Sequence, residues 1–152
     1  MQTYLYAHKG RIESIPHGIY YYHPVEHALY RITGDPDISP AIHFPSNRDS
    51  FDAAAFSVYF IAQLDAIEPV YTVMSRELVT LDAGYMTQLL QSRQEDMGVR
   101  LCPVSGVDFE SIRHFFRLSP AHMFVQCLLG GPADPVPVHD AETSASLDDP
   151  AS

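Results

Sequence analysis

Tyr71 follows Glu68-Pro69-Val70, and a phenol at that place could act as a proton acceptor if its pKa, ordinarily about 10, were lowered by a cationic or oriented polar neighbour. A buried structural tyrosine is the other reading of the same spacing. A second stretch, Leu101-Cys102-Pro103-Val104-Ser105-Gly106, ends a strand in Cys-Pro and runs through Ser-Gly toward a helix capped by Asp108. That arrangement leaves backbone N–H groups pointing into a cleft, where they can bind a planar polar ligand, although an ordinary strand-to-helix turn has the same sequence. Gly84 lies inside an otherwise helical stretch. There it costs about 1 kcal/mol relative to alanine, so a neighbouring strand or a cofactor is expected to approach the helix closely.

Other motifs fall away on context. His23-Pro24-Val25-Glu26-His27 has the H-x-x-E-H order of some zinc peptidases, but it contains a proline and joins two strands, so its histidines do not share a helical face. No metal site is expected there. The eight glycines form no G-x-G-x-x-G, and none precedes Lys-Ser or Lys-Thr, which excludes the Rossmann and P-loop phosphate sites. G-x-S-x-G is absent too, and Cys102 and Cys127 show neither a disulfide framework nor a zinc-knuckle spacing, so both are expected as reduced core thiols.

The elements that must position these residues follow from hydrophobic periodicity. Thr3 to His8 and Gly18 to His23 are rich in aromatic and branched residues and are predicted strands; Ala28 to Ile32 completes a hairpin over residues 18 to 32. Prolines 36, 40 and 45 restrict the segment from Asp35 to Asn47 to a surface connection with at most a helical turn near Ser39 to His43. Ala53 to Leu64 is apolar on both faces and is predicted to be a central strand. Leu78, Leu81, Tyr85, Leu89 and Leu90 fall at helical spacing and predict a helix from about Val73 to Met97, stopped by Gly98 and buried on that stripe. A strand at Val99 to Val104, a helix capped by Asp108 through about Arg117, and a strand at Met123 to Leu129 complete an α+β order.

Composition bounds the rest. The 152 residues carry 9 Lys plus Arg against 19 Asp plus Glu, a net charge of −10 with no basic stripe, so nucleic acid is not an expected partner. The opening lacks a signal-peptide pattern and no apolar run approaches the roughly 20 residues of a membrane span, so a cytoplasmic protein is expected. Residues 1–131 read as one domain. Residues 132–152 hold five acidic groups, four prolines and no base, and are expected to form a disordered tail.

Taken together, several pieces resemble the nitroreductase-like flavin enzymes, specifically the oxidation domains of nonribosomal peptide synthetases and related thiazoline/oxazoline dehydrogenases. The pieces are Gly18-Ile19-Tyr20-Tyr21-Tyr22-His23-Pro24 with His27 and Leu29; Ala66-Ile67-Glu68-Pro69-Val70-Tyr71; Leu81-Asp82-Ala83-Gly84-Tyr85-Met86 with Gln88-Leu89-Leu90; Gly98; Leu101-Cys102-Pro103; and Leu128-Leu129-Gly130-Gly131. The resemblance implies an α+β fold, a mixed sheet flanked by helices, with FMN at a subunit interface. It implies oxidation of a carrier-protein-bound thiazoline or oxazoline to the azole, with Tyr71 as catalytic tyrosine and with Cys102, Pro103, Val104, Ser105, Gly106 and Gly84 beside the cofactor. The family's phosphate-binding Arg-Ser-x-Arg and ring-flanking Pro-Ser-x-Gly segments have no counterpart here. The chain is therefore expected to be the C-terminal half of the domain, completed by a homodimer partner or a complementary N-terminal fragment. The family's usual Tyr-Gly reads Tyr71-Thr72 here, its Cys-Pro-x-Gly-Gly reads Cys102-Pro103-Val104-Ser105-Gly106, and the lysine often preceding the tyrosine is absent. A non-catalytic interaction module of the same fold and a generic NAD(P)H-dependent flavin reductase are the alternatives.

Overall fold

The computed structural model describes residues 1–133. The tail expected from residue 132 onward therefore lies outside the described residues, apart from its first two positions. The strands are β1 (Gln2–Ala7), β2 (Gly18–His23), β3 (Ala28–Gly34), β4 (Phe56–Gln63), β5 (Val99–Val104) and β6 (His122–Pro132). They form a single sheet in the order β3-β2-β1-β4-β6-β5. The run of apolar residues in β4 has the consequence its composition predicts: Val58, Tyr59, Phe60, Ile61 and Ala62 are all buried, because β4 lies between β1 and β6 and is covered on both faces.

The sheet expected to be mixed is antiparallel in every ladder. The reason lies in the connections. Parallel neighbours need a long crossover, and the crossover present here, from β4 to β5, inserts β6 between the two strands it joins. Pro103, which cannot donate to a ladder, is tolerated because β5 is an edge strand.

Helices flank both faces. On one, α1 (Pro45–Ala53), the short α4 (Phe109–Ile112) and the 3-10 turn Arg113–Phe116 bring Phe51, Phe109, Ile112 and Phe116 against Tyr4, Tyr6, Tyr59 and Ile61. On the other, α3 (Ser75–Ser92), preceded by the single turn α2 (Glu68–Tyr71), packs Ala83, Met86 and Leu90 against Val58, Phe60, Leu101 and Leu128.

Four local expectations are corrected. The segment before β4 holds a full helix, α1, because Pro45 sits at its first position, where the missing N–H is not needed and the fixed φ favours entry. The long helix ends at Ser92 rather than Met97; residues 93 to 98 form turns, with Gly98 at φ 64 closing them before β5. Its buried stripe is Ser75, Val79 and Ala83, not the leucine stripe, because small side chains let the helix lie close to the sheet while Leu81, Tyr85 and Leu89 point to solvent. Asp108 precedes its helix without a side-chain cap, and the helix passes into a 3-10 turn before ending at Arg117 in the left-handed region.

Candidate functional site

β5 delivers Cys102 to Gly106 to an edge of the sheet, where cover differs along the strand and Cys102 is not the core thiol expected. Cys102 is exposed, Val104 is buried in the core, and Pro103 is exposed on the open edge. Val104 can therefore meet a ligand only through its backbone. Cys102 lines a cleft of about 480 Å³ walled by small residues, Ala53 and Ala54 from the end of α1 and Gly130 and Gly131 from β6, with Arg100 and Gln94 as polar members.

The turn Ser105–Gly106 is held from the opposite side by the segment entering α1. Phe44 N donates to Gly106 O at 3.2 Å, Asn47 Nδ2 donates to Ser105 O at 3.0 Å, and Asp108 N donates to Ile42 O at 2.8 Å. Gly106 adopts φ 72, and a Cβ placed on it would lie 2.1 Å from the Phe44 ring. Both facts require glycine there. With the carbonyls engaged, the N–H groups of Ser105 and Gly106 find no backbone acceptor among the described residues. Among the described residues this fixed turn leaves two backbone donors without an acceptor, and its Gly106 lines a cleft of about 400 Å³ with His43, Phe44 and Arg48.

Other predicted site residues lie apart from this turn. Tyr71 ends α2 with 51% exposure and lines neither cleft, because it follows the end of β4 where Gln63 pairs with His122, whereas β5 pairs with the later part of β6. Gly84 is exposed, and a Cβ there would meet nothing within 4 Å, so the close approach expected at this position is not made by any described residue. The His23 to His27 stretch is a hairpin turn in which Glu26 N donates to His23 Nδ1 and Tyr22 Oη lies 2.8 Å from His27 Nδ1. Among the described residues no group of three or more His, Cys, Asp or Glu could hold a metal ion, and no helix is long and apolar enough to cross a membrane.

A cluster that sequence reasoning missed stands behind the turn. Phe51 of α1 inserts between His8 and His43, with ring centroids 4.7 and 4.8 Å away. His8 is buried with its Nε2 2.9 Å from Ser57 Oγ, and burial, reinforced by Arg11, His17 and His43, lowers its pKa to about 4. His43 is 2% exposed; burial lowers its pKa as well, and neither of its ring nitrogens has a partner among the described residues. The residue types gave no signal, since three separate segments meet here. A further cleft of about 390 Å³ gathers Arg76, Glu110, Arg113 and His122 between α3, α4 and β6; Arg113 Nε donates to Glu110 at 3.0 Å.

With this geometry in view, the comparisons with known proteins fix the class. Residues 2–131 match the nitroreductase family, and the chain belongs to it. Among curated proteins, the indigoidine synthase of Dickeya dadantii is 25% identical over 108 residues, which is 70% of this chain and 6% of that protein. A crystal structure assigned as a nitroreductase of Anabaena variabilis superposes with a TM-score of 0.71 at 17% identity, covering 88% of this chain and 27% of its own. A chain of the E. coli microcin synthetase McbBCD complex, solved with truncated pro-MccB17 bound, gives a TM-score of 0.67 at 11% identity, over 88% of this chain and 52% of that one. The structural likenesses show the fold. The chain spans well under two thirds of the length of each of these relatives.

Proposed function

We propose that this chain supplies one half of an FMN-dependent oxidoreductase that oxidises a carrier-bound thiazoline or oxazoline to the azole. The observation that carries the reading is the Ser105–Gly106 turn, whose backbone donors are free while its carbonyls are tied to Phe44 and Asn47. FMN, when bound, supplies the hydride acceptor for such a dehydrogenation. The chain's own contribution is twofold. Ser105 and Gly106 offer backbone donors to the ring's polar edge, and Tyr71 takes a proton from the substrate. Family membership and the likeness to two synthetase proteins support this reading.

Tyr71 is exposed and apart from the turn, so its role requires a second polypeptide segment, from a homodimer partner or a complementary N-terminal half, to complete the site over it. The charge-assisted contacts that would hold the FMN phosphate contribute about 1.5–3 kcal/mol each, so their absence predicts weak binding by the chain alone. The test is a visible absorption titration of FMN into the purified chain, with and without a separately expressed N-terminal half of a related oxidation domain. Saturable binding with a perturbed flavin band in the mixture alone is expected, and Tyr71→Phe should abolish thiazoline oxidation without altering that band. No binding in either case would overturn the flavin reading and favour the interaction module.

A further inference from the structure

The cleft between α3, α4 and β6 lies apart from the Ser105–Gly106 turn, and its charges are only half compensated. Four charged side chains line it: Arg76 from α3, Asp108 at the entry to α4, and Glu110 and Arg113 beyond it. Glu110 and Arg113 satisfy each other, with Arg113 Nε donating to the two carboxylate oxygens at 3.0 and 3.3 Å, while Arg113 Nη2 donates to His122 O. Arg76 and Asp108 are left over. The Arg76 guanidinium has the Met123 thioether as its partner, Nη1 to Sδ at 3.1 Å, a weak acceptor that returns no charge. Asp108 makes no side-chain cap on α4. Among the described residues neither group forms an ion pair, with the other or with any further residue.

His122 adds a donor to the same cleft. Ser119 N donates to His122 Nδ1 at 3.2 Å, so the neutral ring carries its proton on Nε2, which has no acceptor among the described residues. Apolar side chains make up much of the remaining lining. Phe109 and Phe124 stack there with ring centroids 4.7 Å apart, beside Leu64 and Pro120.

A positive and a negative charge on separate elements of one cleft, not paired with each other, suit a ligand that carries both signs. An anion alone would leave Asp108 opposing it, and a cation alone would meet the same opposition from Arg76, since like charges across an interface disfavour binding. The cleft volume of about 390 Å³ lies in the range of small-molecule sites and admits a compact zwitterion. A free α-amino acid has the complementary set of groups: a carboxylate, an ammonium and a side chain that can meet an apolar wall.

We propose that the cleft between α3, α4 and β6 binds a free α-amino acid with an apolar side chain. Its carboxylate pairs with Arg76 and accepts from His122 Nε2, its ammonium pairs with Asp108, and its side chain lies against the apolar lining. The inference does not depend on flavin chemistry, so it stands or falls separately from the proposed activity.

The test titrates three ligands into the full, isotope-labelled chain at constant ionic strength, read by amide chemical shifts. They are leucine, its deaminated analogue isocaproate and its decarboxylated analogue isoamylamine. Saturable shifts around the cleft are expected, with leucine binding about tenfold more tightly than either analogue. Arg76→Gln should weaken leucine and isocaproate about tenfold and leave isoamylamine unchanged, whereas Asp108→Asn should weaken leucine and isoamylamine and leave isocaproate unchanged. Arg93→Gln/Asp96→Asn, which removes the exposed ion pair past the end of α3, should alter none of the three. Circular dichroism checks that each variant keeps the fold, and Arg76→Met and Asp108→Ser serve as second variants at the two positions. Leucine binding no tighter than its analogues, variants that weaken all three ligands alike, or the lack of any saturable shift would each overturn the proposal.

Discussion

His8 and His43 are held neutral by their surroundings, and the sign of the resulting pH dependence follows from linkage. An unfolded histidine binds a proton as pH falls through about 6.5, whereas His8 in the fold resists it until about 4. Stability is therefore undiminished above about pH 6.5, falls through the interval down to about 4 and then levels. His8 contributes at most about 3.5 kcal/mol of the loss, at about 1.4 kcal/mol per unit, and His43 adds in the same direction. Urea unfolding at pH 7 and pH 5 should show this decline, and His8→Gln, which retains a polar partner for Ser57, should flatten it. Glycine offers a second residue-scale contrast. Gly106→Ala forces a Cβ into the Phe44 ring at a positive φ and is expected to destabilise by about 2–4 kcal/mol. Gly84→Ala meets nothing and should stabilise by up to about 1 kcal/mol through helix propensity; thermal melts of both variants decide. Gly106 was legible as a turn residue because a Ser-Gly step after a strand signals a tight turn. The partner that makes glycine obligatory, Phe44, was not, since it lies far away in sequence.

At the scale of elements, α3 shows where periodicity misleads. Both of its faces carry apolar residues, so the sequence supports two stripes, and the larger side chains made the leucine stripe the expected core. The sheet instead fully buries Ser75, Val79 and Ala83, with Met86 and Leu90 partly buried beside them, while Leu81, Tyr85 and Leu89 fall on the opposite side of the helix. The prediction separates the faces. Ala83→Leu overpacks against Phe60 and Leu128 and should cost about 1–3 kcal/mol, whereas Leu81→Ser on the outer face should change stability by about 0.5 kcal/mol or less; chemical denaturation midpoints measure both. Element α1 was missed for a related reason. Three prolines within ten residues read as breakers, yet Pro45 is placed where proline starts a helix, and Phe51 on that helix reaches the histidine cluster only once the chain has folded back over the sheet.

For the whole molecule, the sheet order decides which candidate residues share a site. β6 lies between β4 and β5; the crossover leaving β4 beside His122 leads through Tyr71 into α3 on one face of the sheet, while the Ser105–Gly106 turn after β5 is held by the segment entering α1 on the other. Within the described residues the catalytic tyrosine implied by resemblance and the turn suited to a flavin are therefore separate, and the apolar face beside Tyr71 has no covering element.

The sequence by itself determined the strands, because runs of aromatic and branched residues suit a buried pleated surface, and it determined the α+β class and the Ser-Gly turn. Only the tertiary structure decided the antiparallel ladders, the buried side of α3, the His8–Phe51–His43 cluster and the separation of Tyr71 from Gly106. Local patterns report the conformation each segment prefers. Which segments meet depends on closing loops of tens of residues between distant positions, and that choice is made by packing over the whole sheet.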